Sequence, residues 1–179
     1  MAESPRLPWR TVAVATVLGL LAAGATVVLL SDDADEATTP ITLVPEDEVP
    51  TFDGTEVPLT SVRGTPTVVN FFASYCVPCI TEMPEFEEVY QDVDDGAVAF
   101  LGLAVSDRTE DAEALVQQTG VTYPTAEDKD ASVITVLEGA VLPTTVLLDA
   151  QGQVVAQHSG ELTADELREL IAEELGVSL

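Results

Sequence analysis

The feature that most narrows what this chain can become is Cys76-Val77-Pro78-Cys79, a Cys-x-x-Cys pair formed by its only two cysteines. An apolar, β-prone segment, Thr67-Val68-Val69-Asn70-Phe71-Phe72, leads toward it. Beyond it, Cys79, Met83, Phe86 and Tyr90 recur at a spacing that lays them along one face of a helix. A strand that delivers two thiols to a helix start places the first near unpaired N–H groups and the positive end of the helix dipole. Both favour a thiolate. Cys76 is therefore read as a redox nucleophile and Cys79 as its resolving partner.

Two plainer roles compete for the pair. As a structural bridge it closes so short a loop that the chain-entropy gain is only ~2 kcal/mol. As half of a zinc site it lacks partners, because zinc wants four ligands and the chain offers only His158 beyond the cysteines, unless carboxylates complete the set. Redox chemistry is the expectation, with no metal and no cofactor. His158, at the end of an expected strand, is read as a surface residue.

Charge excludes other functions. The 179 residues carry 32 acidic side chains against six Lys and Arg, a formal net charge of −26. Such a surface repels nucleic acid and anionic membrane faces. It keeps a soluble domain from sticking, and it would equally suit high salt.

The N-terminal third points to export. Arg6 and Arg10 precede a run of low polarity from Thr11 to Leu30, and Asp32, Asp33, Asp35 and Glu36 follow it. Twenty residues at helical rise span ~30 Å, the thickness of a hydrocarbon core. The charge asymmetry places the N-terminus in the cytoplasm and the remainder outside. The expected organisation is a cytoplasmic tail at 1–10, a transmembrane anchor at 11–30, an acidic flexible linker at 31–47 and a folded domain at 48–179. The alternative for 11–30 is a signal peptide cut at the small-x-small stretch Ala23-Gly24-Ala25, which would leave an apolar end. The chain is thus expected at the plasma membrane, single-pass, with its domain on the extracytoplasmic side.

Within 48–179, Asp53-Gly54 marks a β-hairpin turn, and Leu59–Gly64 a connection into the Thr67–Phe72 strand. The helix after the cysteines contains Pro84, which should kink it. Ala97–Ala104 reads as a buried strand and Glu110–Gln118 as a helix ended by Gly120. Val121–Tyr123 reads as a short strand and Ala131–Leu137 as a short helix. Thr144–Asp149 and Gln153–Gln157 read as paired strands around Ala150-Gln151-Gly152. Thr163-Ala164-Asp165-Glu166 is a capping box, followed by an apolar stripe of Leu167, Leu170, Ile171 and Leu175. Strands separated by helices imply a parallel portion, and a tight final connection an antiparallel one. The expectation is an α/β fold, a mixed central sheet with helices on both faces.

In this order the chain resembles the thioredoxin fold, and more narrowly the TlpA/ResA-like extracytoplasmic thiol–disulfide oxidoreductases. The resemblance is carried by Val69-Asn70-Phe71-Phe72-Ala73-Ser74-Tyr75-Cys76-Val77-Pro78-Cys79, by Glu82-Met83-Pro84 and by Leu142-Pro143-Thr144-Thr145. It implies a redox disulfide Cys76–Cys79 and a cis peptide bond before Pro143 that leaves Leu142 free to pair with a partner's extended chain. It also implies that Glu82, one turn beyond Cys79, takes the Cys79 proton. Two positions depart from the pattern. Tyr75 stands where these proteins usually have Trp before the first cysteine, so a Trp-like stacking surface for substrate is altered. Asn70 stands where thioredoxin has a buried Asp, and an amide cannot act as a base.

The resemblance further implies partners: cysteine-containing exported proteins, apocytochrome c among them, and a membrane thiol-transporting reductase as electron donor. A disulfide-forming oxidant would use the same residues in the opposite direction, and the reduction potential decides between them. A copper(I)-delivery module, with both thiolates on the soft ion, is the reading from another class. A thiol peroxidase is disfavoured because the Thr-x-x-Cys arrangement of those enzymes is absent.

Overall fold

The structure is a computed structural model describing residues 45–179, apart from position 95. The expected tail, the anchor at 11–30 and nearly all of the linker lie outside the described residues. Among the described residues, no helix is long and apolar enough to cross a membrane.

The domain opens with two short strands, β1 (Glu48–Pro50) and β2 (Glu56–Pro58), paired antiparallel with Val49 opposite Val57. Their connection turns at Gly54, whose φ of 83° a side chain would resist. The Asp53 carboxylate accepts from Thr51 Oγ1 at 2.6 Å and from the Thr55 N–H at 2.9 Å, closing the turn. A four-residue 3-10 helix, Leu59–Val62, then leads into the main sheet.

That sheet has the order β5-β4-β3-β6-β7, built from β3 (Thr67–Phe72), β4 (Ala99–Val105), β5 (Thr125–Asp128), β6 (Thr144–Leu148) and β7 (Val154–Ser159). β4 lies parallel to β3 and to β5, whereas β6 is antiparallel to both β3 and β7. The central strand β3 is buried along its whole length, which is why its sequence has no solvent-facing polar alternation and is apolar but for Thr67 and Asn70.

Two cores form, one on each side. Val68 and Phe72 of β3 meet Cys79, Met83 and Phe86 of helix α1 (Val77–Asp92). Ala112 and Leu115 of α2 (Thr109–Thr119) and Leu167 and Ile171 of α4 (Ala164–Leu175) join the same cluster. Val69 and Phe71 point the other way, to Val146 and Leu148 and to Val133 and Ile134 of α3 (Ser132–Val136). Helices thus lie on both faces, but unequally, because the second face is covered by one five-residue helix with Val49 and Leu59 beside it.

The helix limits follow local chemistry. Thr163 and Glu166 form the reciprocal capping box at the start of α4, and Gly176 closes it at φ 68°. Gly120, at φ 74°, ends α2 by donating to the Val116 carbonyl. α1 runs as one element through Pro84.

Two expectations need correction. Val121–Tyr123 is not a strand. Val121 and Tyr123 are buried while Thr122 is exposed, which mimics strand alternation, yet the hydrogen-bonded strand begins beyond Pro124, at Thr125. The real β5 was hidden because its sequence, Thr-Ala-Glu-Asp, buries two carboxylates. Glu127 accepts from Thr109 Oγ1 at 2.7 Å and meets Lys129 at 3.2 Å. Asp128 accepts the N–H groups of Val133 and Ile134 at 3.1 and 2.9 Å. The second correction concerns His158. It sits inside β7, opposite Thr145, and is half-buried rather than a surface side chain.

Candidate active site

Cys76 occupies the N-cap of α1 in extended backbone conformation (φ −92°, ψ 101°). Its Sγ accepts the Cys79 N–H at 3.3 Å, so a donor at the open end of the helix already points at the first sulfur. Pro78 lies in the first helical turn, where its missing N–H interrupts no intrahelical bond. The two sulfurs are bonded to each other at 2.04 Å, with Cα atoms 5.3 Å apart. Cys76 retains 7% exposure and borders a groove, whereas Cys79 has none, so a partner approaches the pair from the Cys76 side.

A groove of about 830 Å³ opens beside Cys76, lined by Tyr75, Val77, Ser106, Ile134, Val141 and Leu142 among others. No Asp, Glu, Lys, Arg or His lines it, although the protein around it is strongly acidic. Its rim is apolar and uncovered, with Tyr75 64%, Val77 73% and Val141 55% exposed. Tyr75 is anchored by its hydroxyl, which donates to the Val105 carbonyl at 3.1 Å. Two groove residues, Ser106 and Ala131, hold left-handed φ angles of 48° and 58°. The N–H of each donates to the Asp128 carbonyl, at 3.0 and 3.2 Å, which secures this unfavourable backbone.

The Leu142–Pro143 bond is cis. Leu142 lies in the groove with Cys76, and its backbone makes no hydrogen bond to another described residue. Pro143 is not part of the groove lining; its carbonyl accepts from the Gly160 N–H at 2.9 Å.

Glu82, on the sheet-facing side of α1, is completely buried, whereas Glu85 and Glu87 on the same helix are half-buried and Glu88 is exposed. Its Oε2 accepts from Asn70 Nδ2 at 2.8 Å and its Oε1 from the Leu162 N–H at 3.1 Å. Burial pushes its carboxyl up to about 7, against the two hydrogen bonds that favour the charged form; the charge of Glu161 adds to the upward push. A carboxyl that exchanges its proton near neutrality, one helical turn beyond Cys79, can take the proton of a thiol or return it.

Two contributors escaped sequence reasoning. Asn70 appeared as the loss of a base, yet it is the side chain that hydrogen-bonds Glu82. The only hint was a lone amide inside an apolar strand. Asp107 gave no hint beyond preceding a helix. It accepts from both the N–H and the hydroxyl of Ser74, two residues before Cys76.

A mixed sheet of this topology, with a Cys-x-x-Cys disulfide where its central strand hands over to a helix, defines a thiol–disulfide oxidoreductase of thioredoxin-like fold. The family model described as AhpC/TSA matches residues 41–157, and the chain belongs to that family. The chain is 30% identical over 125 residues to the thiol-disulfide oxidoreductase ResA of Halalkalibacterium halodurans, an alignment covering 68% of this chain and 71% of the relative. Among solved structures it is similar to a DsbF homologue from Corynebacterium diphtheriae, with 27% identity, a TM-score of 0.66 and coverage of 76% of this chain and 88% of that one. MTB DsbF, solved in mixed oxidised and reduced forms, matches with 26% identity and a TM-score of 0.66, covering 73% and 98%.

Proposed function

We propose that this chain is a membrane-tethered, extracytoplasmic reductant of disulfides in exported proteins, of the cytochrome c maturation type. The observation that carries this reading is the asymmetry of the pair: an accessible Cys76 at the helix start, a sealed Cys79, and a buried Glu82 carboxyl poised near neutrality. In the reduced chain, the Cys76 thiolate attacks one sulfur of a partner's disulfide. That S–S bond breaks, a mixed disulfide forms, and the partner's other sulfur leaves as a thiolate that takes a proton from water. Cys79 gives its proton to Glu82 and attacks the Cys76 sulfur, releasing the partner's second thiolate. The partner gains two electrons, and the chain ends with the Cys76–Cys79 bridge, the state described here. A membrane thiol-transporting reductase returns the electrons.

The uncharged groove and the free Leu142 backbone support an extended partner segment that pairs with the main chain and lays small apolar side chains near Tyr75 and Val141. The apolar run at 11–30 supports the tether, with the acidic segment after it as spacer.

The test is the full chain carrying Cys79→Ser, expressed in cells that export cytochromes. With no resolving thiol, Cys76 should remain covalently joined to its partners, and reduction should release exported proteins with paired cysteines, apocytochrome c among them. A chain that traps nothing while retaining copper(I) through both thiols in equilibrium dialysis would replace this reading with metal delivery. A reduction potential near those of strong periplasmic oxidants would reverse the direction of electron flow.

A further inference from the structure

Asn70 is the only asparagine in the chain, and it lies in the middle of the buried central strand. In the sheet it stands between Gly102 of β4 and Thr145 of β6. Its Nδ2 donates to Glu82 Oε2, but its Oδ1 has no hydrogen-bond partner among the described residues. An apolar side chain would suit the surrounding core of Val68, Phe72 and Met83 better, so the half-satisfied amide calls for a purpose.

The hydrogen bonds at Glu82 supply one. Both carboxylate oxygens face donors, Asn70 Nδ2 and the Leu162 N–H, an arrangement that satisfies the ionised group but offers the O–H of the acid no acceptor. Once protonated, Glu82 carries an O–H that must donate, and neither N–H can accept. Leu162 N–H is held by the main chain. The Asn70 amide, however, can turn end for end in nearly the same space and present Oδ1 where Nδ2 was. Asp at this position would donate only when itself protonated, and Leu would do neither.

We propose that Asn70 is a positioning residue for the proton step: its amide donates to the Glu82 carboxylate and, after turning, accepts from the Glu82 carboxylic acid, holding that side chain in place in both protonation states. This rests on the reading of Glu82 as the proton acceptor of Cys79. The other titratable groups around Glu82 are accounted for. Glu161, before α4, and Tyr123, before β5, interact with its charge. On α1, Cys79 is bridged in the oxidised chain and Glu85 accepts the Ala164 N–H. His158 lies one strand further along the same row, opposite Thr145, and interacts with Glu166. Arg168 of α4 is committed to Glu88 and Asp92, and α2 brings the apolar Ala112, Leu115 and Val116 to this core.

The oxidised full chain labelled with 15N-asparagine gives a single side-chain amide, which makes the test direct. In a pH titration, the two Hδ2 resonances of Asn70 should move with the same midpoint as the Glu82 carboxyl carbon, and Glu82→Gln should abolish the inflection. In the reduced chain, Asn70→Leu should shift the pH profile of mixed-disulfide release by Cys79 upward by about one unit, because the donor that favours the carboxylate is gone. If Glu82 titrates near neutrality while Asn70 stays still, or if the Asn70→Leu profile overlays the parent's, the role of Asn70 is overturned and that of Glu82 survives. If the Glu82 carboxyl shows no inflection between about pH 4 and 9, both fall together.

Discussion

Asp107, two residues beyond β4, accepts the backbone N–H of Ser74 and, through Oδ1 at 2.9 Å, its hydroxyl, and so ties the loop that carries Cys76 to the connection between β4 and α2. The same Oδ1 accepts the Arg108 N–H at 2.8 Å. One carboxylate therefore joins the approach to the nucleophile with the approach to α2. Asp107→Ala should cost about 1–3 kcal/mol, since it strands a backbone donor, whereas Ser74→Ala should cost about 1 kcal/mol for the hydroxyl alone. Urea unfolding of the oxidised chain measures both. Alkylation of reduced Cys76 should slow in the Asp107 variant and remain close to the parent rate in the Ser74 one. Equal effects of the two changes would show that the backbone contact carries no weight.

Glu82 makes the stability depend on pH with a definite sign. Its carboxyl titrates at about 7 in the folded chain, against 4.5 when unperturbed, so between those values the folded state holds a proton that the unfolded state has released. Stability is full below the unfolded value and is lost as pH rises through the folded one. The total is on the order of 3 kcal/mol. Glu87, Asp130 and Glu166 shift the opposite way and act below the ordinary carboxyl range, outside this window. The oxidised parent should therefore weaken from about pH 5 to pH 8 relative to Glu82→Gln, as read by denaturant midpoints. Parallel curves for the two proteins would refute the shift.

Much of this was legible in the sequence because its signals were local. The Cys-x-x-Cys pair, the mostly apolar β3, the capping box at Thr163 and the glycine stop at Gly120 each announce themselves within a few residues. What stayed hidden depends on pairing across long separations. Asn70 and Glu82 are 12 residues apart, Ser74 and Asp107 33, and Glu82 and Leu162 80. β5 was misplaced because buried Glu127 and Asp128 break the apolar pattern and are satisfied only by Thr109, Lys129 and α3. Complete burial of Glu82, beside the half-buried Glu85 and Glu87 and the exposed Glu88, follows from which face of α1 meets the sheet, and charge gives no sign of it.

Gly102 of β4 leaves no room for a side chain in the sheet. A methyl group there would come within 3.0 Å of Thr125 Cγ2 and 3.1 Å of both Phe72 Cε1 and Tyr123 Cε2. Two of these atoms belong to rigid rings in a filled core, so relief requires movement of the sheet or of both aromatics. Gly102→Ala should cost about 1–3 kcal/mol despite the better strand propensity of alanine. Thermal unfolding checks this, and an unchanged midpoint would mean that the core has slack at this point.

Asp128 connects the stability of α3 with the shape of the groove. Its carboxylate caps the helix through the N–H groups of Val133 and Ile134, while its carbonyl holds the left-handed Ser106 and Ala131. Ile134 and Thr135 form one wall of the groove beside Cys76, so a loosened α3 alters the surface a partner meets before it alters the sulfurs. Asp128→Ala should cost about 1–2 kcal/mol, the range for losing a helix cap. It should also slow reaction of the reduced chain with a protein disulfide several-fold, while leaving its rate with a small disulfide reagent nearly unchanged. Stopped-flow measurement with both substrates separates the effects. A proportional loss with both would place the damage at Cys76 itself and not in the groove.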